Sequence, residues 1–206
     1  MTAPQVFILS PARLDGQRGK LLLSPRARFA LAQALRQSEG APLGDVFSFL
    51  SGLYFRGKLT YATTFARPPR RAPPILVITT HRGLWSPSEH VGRADLESFS
   101  RVDLAAADDR FLKPLHDDAR AVNKLLSDDA RVVLLGSIAT GKYVDPLLEV
   151  FGDRLVFPID FVGRGDMSRG GLLLRCARAG TELEYTAVAG AVRRGARPAK
   201  LQPLRR

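Results

Sequence analysis

Cysteine is nearly missing from this sequence. Cys176 stands alone among 206 residues, which excludes an intrachain disulfide and a cysteine-built zinc cage and fits a reducing, cytoplasmic setting. In its Leu-rich, Ala-rich surroundings this thiol reads as a small packing group. The three histidines, His81, His90 and His116, show no metal-ligand spacing, and neither a metal nor another cofactor is expected. Of the three, only His81 ends a predicted strand and so is placed to reach a site. Long apolar runs are missing as well. None approaches the ~18 residues of a membrane-crossing helix. The short apolar stretch Val6–Leu9 has no basic segment before it, so neither a membrane span nor a secretory signal is expected. The sequence also lacks an internal repeat, a Gly-x-Ser-x-Gly elbow and an HExxH helix.

Acidic residues are the next scarcity: 20 Asp and Glu face 31 Lys and Arg, a net charge of +11. The excess is uneven. Residues 1–90 hold 12 basic and 4 acidic side chains, 91–160 hold 9 and 13, and 161–206 hold 10 and 3. Two basic ends thus flank an acidic middle, and if they meet on one face they attract polyanions. A nucleic-acid or phosphate-bearing partner is expected. The skew toward arginine, 25 of the 31, is also what a GC-rich coding sequence produces without such a partner.

What is present is an alternation of strands and helices. Five apolar segments read as strands: Gln5–Leu9, Ile75–Thr79, Val132–Leu135, Leu155–Ile159 and Glu184–Val188. The middle three are nearly continuous apolar runs, as in strands buried on both faces of a parallel sheet. Between them, Ser24-Pro25 reads as a cap and first helical position, followed by Ala27, Ala30, Leu31, Ala34 and Leu35 at helical spacing, with Gly40 as the stop. Further helices are expected over Leu112–Leu126 and Tyr143–Val150. The pattern predicts a three-layer, doubly wound α/β fold with a mostly parallel sheet of about five strands. One domain is expected over residues 1–192, with a basic, extended tail over 193–206 that orders on a partner.

In such sheets ligands bind beyond the carboxyl ends of the strands, which directs attention to the loops Ser10–Lys20, Thr80–Ser86, Gly136–Lys142 and Asp160–Gly171. Gly136-Ser137-Ile138-Ala139-Thr140-Gly141-Lys142 has the GxxxxGK spacing of a phosphate-binding loop, between a predicted strand and a predicted helix. Tyr143, however, replaces the Ser or Thr that would hold magnesium. Asp160–Gly171 combines four glycines with Arg164 and Arg169, whose forks suit phosphate or carboxylate, and with Asp160 and Asp166. Asp166 is equally suited to start the next helix. The first loop sets Arg13 and Lys20 around Asp15. Phe47–Tyr61 interleaves aromatic rings with Arg56 and Lys58. Most of those rings suit a core, and Tyr54, Arg56 and Lys58 are the members expected at the surface, able to stack bases and hold backbone.

Five features in this order carry a resemblance. They are a first strand, the Ser10-Pro11-Ala12-Arg13 loop, the Ser24-Pro25 helix start, the segment Ser51-Gly-Leu-Tyr-Phe-Arg-Gly-Lys58 and a late strand running into a glycine- and tyrosine-bearing element. Over residues 5–160 the chain resembles uncharacterised bacterial domains with a uracil-DNA-glycosylase-like α/β fold and the related nucleobase-handling domain of archaeosine synthase. It departs from them in lacking the Pro-Cys-Ser opening and the glycosylase water-activating motif. The resemblance implies the fold and an affinity for bases, with Asp15 in the loop after the first strand, where those glycosylases place their acid. For a glycosylase-like enzyme, which needs a carboxylate to orient water, the candidate catalytic acids at strand ends are Asp15, Asp160 and Asp166. The alternatives are a phosphate-loop nucleotide-binding protein with an altered metal site and a basic binding module without catalysis.

Overall fold

A computed structural model describes residues 3–101, 109–139, 141–199 and 201. Four apolar segments form parallel strands at its centre: β1 (Gln5–Leu9), β3 (Ile75–Ile78), β6 (Arg131–Leu135) and β7 (Leu155–Pro158). All but the first residue of β6 are buried, which is why their sequences run apolar without alternation. β1 lies in the middle, with Phe7 opposite Ile75 on one side and Val6 opposite Val132 on the other. Two short edge strands, β4 (Leu84–Trp85) and β8 (Tyr185–Ala187), run antiparallel to β3 and β7. The six-stranded order is β4-β3-β1-β6-β7-β8, and β2 (Ala41–Pro42) pairs apart from it with β5 (His90–Val91). The expected α/β fold is therefore present, one strand wider in its main sheet than predicted because β4 is only two residues long.

The helices are α1 (Gln17–Leu23), α2 (Ala30–Ala34), α3 (Leu43–Ser51), α4 (Leu53–Phe65), α5 (Arg93–Phe99), α6 (Asp109–Asn123), α7 (Gly141–Phe151) and α8 (Asp166–Ala179). Two pairs dominate the packing, α4 with α8 and α6 with α7. The chain leaves β1 toward β3 through α4, then returns past β1 to β6 and onward to β7 through α6 and α7. Right-handed crossovers in opposite directions place those helices on opposite faces of the sheet. The chain order consequently reverses between β1 and β6.

One expected helix start lies elsewhere. Ser24 closes α1 instead of opening a helix: its amide donates to the Leu21 carbonyl and its ψ is 130°. A following proline drives its predecessor into this extended region, so Pro25 stops the helix that Gly16 opened, and α2 begins only at Ala30, after Phe29.

Between α3 and α4 the chain turns at Gly52, whose φ of 59° and ψ of −122° suit glycine alone. α4 then meets α8 backbone to backbone. A Cβ on Gly57 would stand 2.7 Å from the Gly170 carbonyl oxygen, and one on Gly170 would stand 2.7 Å from that of Leu53. Two glycines facing each other thus let two helix axes approach closely, and this packing presents the interior side of α4 to the first turn of α8.

Candidate functional site

The carboxyl ends of β1, β6 and β7 converge where the chain order reverses. Ser10 directly follows β1, and its amide donates to the Leu135 carbonyl at 3.1 Å. Into this point α4 sends Lys58, which is only 1% exposed. Its ammonium donates to the Ser10 carbonyl at 2.6 Å and meets the Ser10 hydroxyl at 2.9 Å. Nζ also stands 4.6 Å above the Tyr54 ring and 4.8 Å above that of Phe55, whose π faces attract a cation. Among the described residues no carboxylate lies within ion-pair distance of Nζ. Burial therefore wins: it drives the amine down to about 7, with Arg169 pushing the same way and Asp166 opposing.

Around this amine stand two tyrosines. The Tyr54 hydroxyl is buried and makes no hydrogen bond of good geometry among the described residues, with the Arg169 guanidinium as a polar neighbour that acts on it. Burial raises its pKa, reinforced by Asp166 and Tyr143 and countered by Arg169. Tyr143, from α7, donates its hydroxyl to the Ser137 carbonyl at 2.8 Å. Gly136 leaves room beside both groups: a Cβ there would lie 2.8 Å from the Tyr143 hydroxyl and 3.2 Å from that of Ser10. Tyr143 too is raised by burial.

The remaining expected residues divide sharply. Tyr54 and Lys58 were expected at the surface and are instead buried at the centre of the cluster, because α4 packs between β1 and α8; Arg56, on the same helix, is exposed. Arg164 and Arg169 do not offer open forks. Arg169 directs Nε and Nη2 onto the Phe161 carbonyl at 3.2 and 2.9 Å, with Asp166 3.6 Å from Nη1. Arg164 reaches Ser168 at 3.3 Å and Asp160 at 3.8 Å, its Nε buried and unmatched. Both arginines hold the β7–α8 loop in shape. Asp166 lies in the first turn of α8 with its side chain 70% exposed. Of the three acids, it alone acts electrostatically on Lys58, Tyr54 and Tyr143. Asp160 sits in a short 3-10 turn, half exposed. Asp15 pairs with Arg13 at 2.6 Å at the surface, and that hydrogen bond holds its carboxyl below the usual range. Lys20 ends α1, exposed.

The Gly136–Lys142 segment does run from a strand into a helix N-terminus. Yet its own groups fill it: Ala139 N–H donates to the Ser137 hydroxyl, and the Asp145 carboxylate lies against Gly141 while accepting from Arg193 at 2.8 Å. Thr140 lies outside the described residues, and Lys142 points to solvent. Tyr143, turned inward, is spent on Ser137.

The described part of the tail, expected to order on a partner, lies against its own domain. Arg193 pairs with Asp145, Gly195 approaches Val162, and the Ala196 carbonyl lies against Gly163. His81 stands apart from the Ser10 cluster. It lines a cavity of about 570 Å³ with Ser98, Arg101 and Lys113, its Nε2 3.0 Å from the Ser98 hydroxyl.

Sequence reasoning missed Ser10 and Tyr143 as members of the site. The available signal was positional: Ser10 is the first polar residue after the fully apolar strand Val6–Leu9. Nothing in the sequence marks Lys58 as buried. Among the described residues no group of three or more His, Cys, Asp or Glu side chains could hold a metal, and no helix is long and apolar enough to cross a membrane. Compared with protein-family models, with curated proteins and with solved structures, the chain gives no match in any of the three.

Proposed function

We propose that this protein binds a nucleobase-bearing, phosphate-carrying ligand, free or within a nucleic acid, in a crevice that opens at Ser10, Tyr54, Lys58, Gly136 and Tyr143, all of them buried in the free chain. The observation that carries this reading is the buried, unmatched Tyr54 hydroxyl beside an amine without a counter-ion, at the reversal point of a doubly wound sheet. An unmatched buried polar group costs about 1–3 kcal/mol, and a ligand that accepts from it recovers that cost. The position agrees with the general rule for ligands in such sheets. The exposed bases outside the crevice, Arg13, Lys20, Arg56 and Lys142, supply a field for the phosphate backbone. If the ligand is also hydrolysed in glycosylase fashion, Asp166 is the acid best coupled to the cluster, ahead of Asp15 and Asp160. The triphosphate reading has less behind it, since Tyr143 and Asp145 occupy the positions that a magnesium ligand and an anion would need.

The test is a titration of the full chain with a nucleoside monophosphate, single-stranded DNA and RNA at several salt concentrations. Saturable monophosphate binding that weakens in Tyr54→Phe supports the crevice. Affinity for polymers alone, falling steeply with salt through counterion release and indifferent to Tyr54→Phe, supports a basic surface module instead. Release of a base from uracil-bearing substrates, abolished in Asp166→Asn with binding retained, adds the enzymatic step.

A further inference from the structure

We infer that Ser10 and Lys58 form a nucleophile–base pair able to carry out acyl transfer on a small ester or thioester. The geometry has three parts. First, the amine and hydroxyl are 2.9 Å apart, within proton-transfer reach. Second, the Ser10 carbonyl takes a hydrogen bond from the same amine at 2.6 Å. When Nζ is neutral, that bond holds one N–H and leaves the lone pair free to accept from Oγ–H. Third, Gly136 lets the strand end pack directly against Ser10 and the Tyr143 hydroxyl, since any side chain there would strike both. A structural lysine tying α4 to the end of β1 would need only the carbonyl bond. It would be better served by a carboxylate within ion-pair distance, and among the described residues Asp166 acts on it only from further away.

The groups acting on Nζ are Tyr54 of α4 and Asp166 and Arg169 of α8, while Tyr143 of α7 stands at the Ser10 hydroxyl. Burial outweighs their sum and brings the amine down to about 7, so that a large fraction is neutral only from neutral pH upward. In the first step Lys58 Nζ takes the Oγ proton as Oγ bonds to the substrate carbonyl carbon. The tetrahedral centre collapses, the bond to the leaving group breaks, and that group takes the proton from Nζ. Water then attacks the acyl-serine with Lys58 again as base, releasing the acid and restoring Ser10. The sum is ester plus water giving acid plus alcohol or thiol, with no redox partner. Ser10 is only 7% exposed, which restricts the acyl group to a small one.

The pair is tested without any nucleotide, so its failure is separable from that of the binding reading. Full-length protein is treated with an alkyl fluorophosphonate, whose phosphorus accepts Oγ and loses fluoride, and the labelled peptide is identified by mass spectrometry. The expected result is one label on Ser10, none in Ser10→Ala, and labelling slowed roughly 100-fold or more in Lys58→Met, the scale of a lost general base. In the wild type the labelling rate should rise with pH around a midpoint near 7. That profile carries the test should Lys58→Met fail to fold, which circular dichroism would show. Folded protein that binds nucleotide but takes no label overturns the inference. So does labelling that survives Ser10→Ala, or a rate with no midpoint below the ordinary lysine range.

Discussion

At the scale of single residues, Lys58 sets a pH dependence of stability. Its amine falls from 10.5 to about 7 on folding, so between those values the unfolded chain binds a proton that the folded chain does not. Stability therefore rises with pH across that window and is lowest below it, where the charged amine must be held in the interior. At about 1.4 kcal/mol per unit, the rise is on the order of several kcal/mol. Denaturant unfolding of the wild type at a series of pH values should show this rise, and Lys58→Met should flatten it. Equal slopes in the two proteins would mean that the lysine is charged or solvated when folded. Tyr54 gives a second prediction. Its hydroxyl is buried and unmatched, so Tyr54→Phe should leave stability unchanged or raise it by about 1 kcal/mol while weakening the monophosphate. A loss of that size instead would reveal a native hydrogen bond.

At the scale of elements, the glycine-to-glycine packing of α4 on α8 positions the site. Gly57→Ala and Gly170→Ala should each destabilise by about 1–3 kcal/mol from overpacking, although alanine is the better helix former. Urea midpoints measure this, and a stabilised Gly57→Ala would show that the helices stand further apart. The strands were legible in the sequence because burial on both faces writes an uninterrupted apolar run, as in Val132–Leu135. The turn of Gly136–Lys142 from strand into helix was legible too. Pro25 misled because one proline can begin a helix or end the preceding one, and only the Gly16–Leu23 turn decides between them. Arg164, Arg169 and Lys58 misled for a common reason. Composition assigns long cations to the surface, whereas a loop carbonyl at Phe161 and a strand-end carbonyl at Ser10 can hold them inside.

At the scale of the whole molecule, the doubly wound order brings residues 10, 58, 136 and 143 together although they are far apart in sequence. No local motif could have grouped them. Of the arginines in the two basic ends, Arg13 and Arg56 are exposed, while Arg164 and Arg169 are turned inward. Any polyanion field must come from the surface bases and from the tail, which holds six basic residues from Arg193 onward. Removing residues 193–206 should flatten the dependence of polynucleotide affinity on log salt concentration, by roughly 0.7–0.9 for each phosphate that the tail neutralises. An unchanged slope would place the phosphate-binding side chains elsewhere on the surface.

The proposed function turns on the buried Lys58 amine, without a carboxylate at ion-pair distance, at the carboxyl edge of the sheet. Its most direct measurement is the NMR titration of the Lys58 ε-carbon, with and without a nucleoside monophosphate. The expected midpoint lies near 7 in the free protein and moves upward when a phosphate anion binds beside the amine. A midpoint at the ordinary lysine value of 10.5, or one that saturating monophosphate leaves in place, would contradict it.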